Sequence, residues 1–173
     1  MRDRRSPSPR SLQLVCRVAE LMRQSLNIND VLEKTVEYLL DILPRIDRAA
    51  VLLIDNKRRI KEVISRSRQD QPNGSVCYGR VVVDQVLRDG NVISISNTSD
   101  MTSSDMAENM DTLKIKSVLC VPMTAHSRIR GAIYIDSLQR PHGFREEDFL
   151  LLNSLSGPTA VAIENDYLAS RLN

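Results

Sequence analysis

Residues 117–137, SVLCVPMTAHSRIRGAIYIDS, constrain the fold more than any other stretch of the chain. They read as two apolar strands joined by a short polar turn. Successive side chains of a strand point to opposite faces. In the first arm Val118, Cys120 and Pro122 therefore point one way, and Leu119, Val121 and Met123 the other. Both faces are apolar, whereas a strand with one wet face alternates apolar and polar residues. This arm belongs inside a sheet covered on both sides. In the second arm Ile129, Gly131, Ile133 and Ile135 form an aliphatic face, and Arg130, Ala132, Tyr134 and Asp136 a mixed one. The mixed face is where something small or polar would lie.

The segments around this hairpin supply the cover. Residues 11–27 carry a helical stripe through Leu12, Val15, Ala19, Met22 and Leu26, and a second through Leu14, Val18 and Leu21. Two stripes allow two neighbours: the sheet of this domain and a second copy of the helix, or else one wide buried face. Asn29 or Asp30 is placed to cap a second helix, with Glu33 completing a capping box, and Pro44 stops it. AAVLLID and RIKEVISR read as strands around an Asp55-Asn56-Lys57 turn, the second a charged edge strand. YGRVVVDQVLRDG groups Val82, Val83, Val86 and Leu87 on one helical face before Gly90, and so reads as a helix. NVISISN is a strand. The polar stretch 97–115 reads as a loop holding a short helix near 104–112, and long polar segments of this kind often serve as binding lids. A long terminal helix follows from Phe144, with a thin middle at Gly157, Ala160 and Ala162 and a bend expected at Pro158. The sum is an α+β domain: a largely antiparallel sheet with the long N- and C-terminal helices on one face and short helices and loops on the other.

Charge separates the ends from the body. The net charge is +2, of which the first ten residues, MRDRRSPSPR, contribute +3, leaving −1 for the rest. A body this close to neutral argues against direct nucleic-acid binding. Residues 1–11 read as an interdomain linker, with a regulatory tail as the alternative, and residues 12–173 as the folded domain; a linker at this place suggests a fragment of a longer chain. Cys16, Cys77 and Cys120 are too widely spaced for a zinc site or a disulfide framework, and Cys16 and Cys120 read as small core residues. No apolar run reaches the ~18 residues of a membrane span, so a cytoplasmic protein without membrane contact is expected.

The segments IKSVLCVPM, IRGAIYIDS, FREEDFLLL and AVAIEN, in this order, resemble the GAF family of sensory domains related to PAS, over residues 12–170. The resemblance is greatest to GAF domains of bacterial signalling proteins. It implies a sensor coupled to an effector such as a cyclase, kinase, phosphatase or transcription activator. One branch of the family, which binds cyclic nucleotides, carries Asn-Lys followed by Phe-x-x-x-Asp-Glu. Here Asp136-Ser137 replaces Asn-Lys, and Phe144 and Asp148 match while Phe149 replaces the Glu. The Lys–Asp tie of that signature cannot form, so Phe144 and Asp148 are read as structural. No bilin-attachment motif is present. Cys77 and Cys120, 43 residues apart, lack the close spacing of members that reduce methionine sulfoxide. His126 and His142 fall in turns and read as solvated residues rather than haem ligands.

The resulting expectation is a non-catalytic sensor that binds a small molecule or partner over the mixed face of the second arm. The candidate ligand-binding residues are Tyr134, Ser96, Thr98 and Asp100. Tyr134 offers a ring and a hydroxyl, and an ordinary sheet tyrosine is the competing reading. Binding would order residues 97–115 and shift the terminal helices. The sequence names no cofactor. The alternative is a ligand-free dimerisation scaffold, with a homodimer through the terminal helices. An enzyme is disfavoured, because no metal pair, phosphate-cradling glycine loop or nucleophile motif has diagnostic spacing.

Overall fold

The structure is a computed structural model that describes residues 9–24, 27–69, 78–102 and 104–172. Leu26, Cys77 and the first eight residues of the expected linker lie outside them. The elements run α1 (Pro9–Gln24), α2 (Ile28–Ile42), β1 (Arg48–Ile54), β2 (Ile60–Ser67), α3 (Arg80–Asp89), β3 (Ile93–Ile95), a 3-10 turn (Thr98–Asp100), α4 (Asp105–Thr112), β4 (Ser117–Ala125), β5 (Arg128–Ser137) and α5 (Glu146–Leu172). The strands form one antiparallel sheet in the order β2-β1-β5-β4-β3. The hairpin that dominates the sequence thus occupies the interior, with β5 at the centre and β2 at an edge.

Alternation along β4 and β5 sends one set of residues to each layer. Leu119, Val121, Met123, Ile133 and Ile135 join the back core with Leu14 and Val18 of α1, Leu32, Val36 and Leu39 of α2, and Leu152 and Leu155 of α5. Val118, Cys120, Ala132 and Tyr134 join the front core with Val82, Val83 and Val86 of α3 and Met110 of α4. Both faces of the hairpin are covered, as its apolar pattern requires.

Local chemistry sets the helix ends. Pro9 starts α1, at a position where the missing N–H costs nothing, so the end of the expected linker is helical. Asn27, not Asn29 or Asp30, caps α2: its side chain accepts from the Asn29 N–H at 2.9 Å. Glu33 is drawn instead to Arg66, at 3.2 Å. At the other end of α2 the Arg68 guanidinium donates to the carbonyls of Leu40, Leu43 and Ile46, which serves the electronegative helix terminus. Gly90 ends α3 with φ +71°, the left-handed conformation that glycine adopts without strain. Asp148 accepts from the Arg145 N–H at 2.6 Å at the start of α5, and the helix continues through Pro158.

Two further readings are corrected. Cys16 is exposed rather than buried, because the stripe that meets the core is Leu14–Val18. The second arm also does not alternate regularly to its start. Met123 pairs with Gly131 and Thr124 with Ile129, which leaves Arg130 as the extra residue of a β-bulge. Beyond the bulge the faces exchange: Ile129 packs on the front core, and Arg130 reaches Glu164 of α5 on the back, at 2.7 Å. Glycine is required beside the bulge, since a Cβ on Gly131 would stand 1.9 Å from the Leu52 carbonyl oxygen.

Candidate functional site

The front of the sheet carries a buried polar cluster inside an apolar layer. Arg48 opens β1 directly across from Asp136 of β5. Its Nε lies 2.9 and 3.0 Å from the two carboxylate oxygens and its Nη2 2.5 Å from one of them. The side chains are 4% and 0% exposed. At this depth the ion pair stands only because its geometry is bidentate and its remaining valences are met. Tyr134, one face-step along β5, donates its hydroxyl to Asp136 Oδ2 at 2.5 Å and accepts from the Gly79 N–H at 2.9 Å. Gly79 is the N-cap of α3. The chain Arg48–Asp136–Tyr134–Gly79 therefore runs from the sheet to the start of the helix that covers it.

Burial controls the ionisation of this cluster. It pushes the Asp136 carboxyl upward, and the hydrogen bonds from Arg48 and Tyr134 pull it back. Burial and the neighbouring Asp136 push the Tyr134 phenol well above its ordinary value, so the hydroxyl stays a donor. Gly79 is tightly enclosed: a Cβ there would come 2.6 Å from Met110 Cε and 3.2 Å from Tyr134 Oη. Tyr78 meets the Tyr134 ring edge-on, with centroids 6.1 Å apart.

The four expected ligand-binding residues occupy different positions. Tyr134 is fully buried at the centre of the front layer. Thr98 is partly buried at the rim, where its hydroxyl donates to the Ile115 carbonyl at 2.6 Å and its N–H to that of Lys116. Ser96 and Asp100 are exposed. The Ser96 carbonyl accepts from the His142 N–H, which ties the loop before α5 to the end of β3. Sequence reasoning missed Arg48 and Gly79. Arg48 left a signal: it is a charged residue at the head of RAAVLLI, a run buried almost throughout. Gly79 left none, since its role depends on Met110 and Tyr134.

The signature of the cyclic-nucleotide branch is replaced by other bonds. Asp136 is held within the sheet by Arg48. Ser137 donates to Asp47 Oδ2 at 3.2 Å, and the same oxygen accepts from the Leu138 N–H at 2.7 Å. Phe144 packs on the back core. Burial pushes the Cys120 thiol far up, which leaves it protonated and unreactive. His126 and His142 lie in turns with positive φ, and His126 Nδ1 stands 3.1 Å from Glu164 Oε2. Among the described residues no group of His, Cys, Asp or Glu is arranged to hold a metal ion, and no helix is long and apolar enough to cross a membrane.

Comparison with known proteins bears on the fold. A family model described as GAF domain matches residues 25–164. The GAF domain of an Acinetobacter phosphoenolpyruvate-protein phosphotransferase is 18% identical, with 95% of this chain and 99% of that one covered, at a TM-score of 0.73. The phycoerythrobilin-bound GAF domain of a cyanobacterial phytochrome is 16% identical over 94% and 99%, at 0.76. The free methionine-R-sulfoxide reductase of Neisseria meningitidis, in complex with its substrate, is 18% identical over 96% and 95%, at 0.67. No curated protein matches the sequence significantly.

Proposed function

The chain belongs to the GAF domain family, and from that premise we propose that it is a non-catalytic sensory domain that binds a small molecule or partner on the front of its sheet and passes the change to an output domain through its terminal helices. The observation that carries this reading is the hydrogen bond from the Gly79 N–H to the Tyr134 hydroxyl. It joins the sheet to α3, and a guest that offered Tyr134 another donor would compete for it. Thr98, with Ser96 and Asp100 at the rim, would then border the opening. The other face of β5 presents Ile133 and Ile135 to the back core, where α1 and α5 also pack. A shift of β5 is therefore felt by both terminal helices. The phycoerythrobilin of the phytochrome relative supports a small molecule as the class of guest. An output domain, a place in a bacterial signalling or transcription regulator and a cytoplasmic setting complete the proposal.

A ligand acts only through its difference in affinity between two states. Native mass spectrometry of the purified chain, followed by thermal denaturation with any co-purifying molecule, tests the reading. A bound species that raises Tm in the native chain but not in Tyr134→Phe supports it. A species that stabilises both equally places binding elsewhere.

One observation favours the scaffold reading as well. Leu150, Val161 and Leu168 of α5 are exposed, at intervals of 11 and 7 that bring them to one side of the helix, and Leu12 of α1 is exposed too. Space around Gly157 is open. This face suits a homodimer through the terminal helices. Light scattering decides: a dimer whose stability no small molecule changes would make the domain a scaffold.

A further inference from the structure

A cleft of about 650 Å³ opens on the back of the molecule, away from the front cluster, between the start of α2, the β1–β2 end of the sheet and the last turns of α5. Its volume is typical of sites for small ligands. Two β-bulges build its floor. In the β1–β2 ladder Leu53 pairs with Glu62 and Ile54 with Ile60, so Lys61 is an extra residue. In β5 the extra residue is Arg130, next to Gly131, which pairs with the same Leu53. A bulge re-aims a side chain. Here both strands flanking β1 bulge at one level, and each contributes a cation to the same cleft.

The charges of this cleft come in two signs. Lys61 has no carboxylate partner among the described residues. Arg130 gives Nη2 to Glu164, while its Nε–H is buried and without an acceptor. Glu62 and Asp166 also line the cleft, and neither carboxylate has a cationic partner among the described residues. A simple anion would meet these acids, and a simple cation would meet Lys61 and Arg130. The apolar wall comes from Leu53 and Ile163. Tyr167 closes the far side, where its hydroxyl accepts from Asn56 Nδ2 at 2.6 Å and bridges α5 to the β1–β2 turn.

We propose that this cleft binds a small zwitterion with an apolar body, of the class of a free apolar α-amino acid. The carboxylate lies toward Lys61 and Arg130, the ammonium toward Asp166 and Glu62, and the side chain against Leu53 and Ile163. The site is independent of the front cluster. Its occupant clamps the last turns of α5 to the sheet, so the same helix receives input from both faces.

Isothermal titration of the full chain with L-leucine and L-phenylalanine tests this, with N-acetyl-L-leucine and L-leucinamide as the singly charged controls. Binding of the free amino acids is expected, with a loss of roughly tenfold on capping either end, the size of one charge-assisted hydrogen bond. Lys61 is exposed, so Lys61→Ala folds, and it should weaken binding by a similar factor. Tyr134→Phe should leave the titration unchanged. Absence of heat and of Tm shift at millimolar amino acid overturns the proposal. So does equal binding of the capped compounds, or binding that Tyr134→Phe abolishes and Lys61→Ala does not.

Discussion

On the back of the sheet Leu119, Val121, Ile133 and Ile135 are buried among the side chains of three long helices, most of them aliphatic. On the front, Ala132 and Tyr134 of the same strand lie under two short helices and beside a buried ion pair. The back is held by area removed from water, which has no preferred direction. The front is held in part by directed bonds that fail if one partner leaves. One strand thus separates a layer that tolerates small changes of shape from one that does not. That asymmetry is in keeping with the proposal that the front binds and the back transmits.

The comparison breaks most sharply at Arg48. Arg48→Met strands Asp136 as an uncompensated buried carboxylate, and a loss of about 3–5 kcal/mol is expected in urea denaturation. Arg48→Met with Asp136→Leu removes both charges and should recover much of that loss. If the double variant is as unstable as the single one, the front is not governed by the ion pair. Tyr134→Phe comes next. It leaves the Gly79 N–H without its acceptor, at a cost of about 1–3 kcal/mol, and hydrogen exchange should quicken in α3 before it does in α2. Ile133→Val, on the opposite face of the adjacent residue, removes one methylene for about 0.5–1.5 kcal/mol, with no selective effect on α3.

A carboxylate on the back sharpens the contrast through pH. Arg130, then His126, hold Glu164 below its ordinary value of 4.5. A depressed folded value means the unfolded chain binds the proton more readily. The contribution of Glu164 is then complete above pH 4.5 and is lost as pH falls through the lower folded value. Glu164→Gln should flatten this part of the acid unfolding curve, with its cost in stability present above pH 4.5 and fading as pH falls below it. The smallest effect is expected at Leu168. Leu168→Ser on the exposed side of α5 should alter monomer stability by no more than about 0.5 kcal/mol, while lowering the dimer fraction in light scattering if α5 pairs with a second copy.

Much of this architecture was legible. The two-sided apolar pattern of 118–123 required an interior strand, the grouping of Val82, Val83, Val86 and Leu87 required a helix, and Gly90 marked its end. These are statements about one segment and its neighbours in sequence, where periodicity and backbone preference suffice. The sequence points to Asn29 or Asp30 as the cap, two or three residues past Asn27, because all three share the same capping chemistry and only the chain path selects one of them. The mixed face of β5 points to Tyr134 but not to the Gly79 N–H, which reaches its hydroxyl from a distant part of the chain.

The sequence by itself determined the antiparallel hairpin at the centre, the two covered faces, the helices on each side and the family. It could do so because hydrophobic periodicity is repeated over many residues and survives local error. Tertiary structure alone decided that Arg48 meets Asp136 across 88 positions, that Gly79 reaches Tyr134 across 55, and that Lys61 and Arg130 open on one cleft. Each depends on register, and a single extra residue in a strand turns a side chain from one face to the other. Nothing in the composition or spacing of Arg130 announces that extra residue. Only the paired strands show it, as they show that Gly131 beside it comes too close to the Leu52 carbonyl for any side chain.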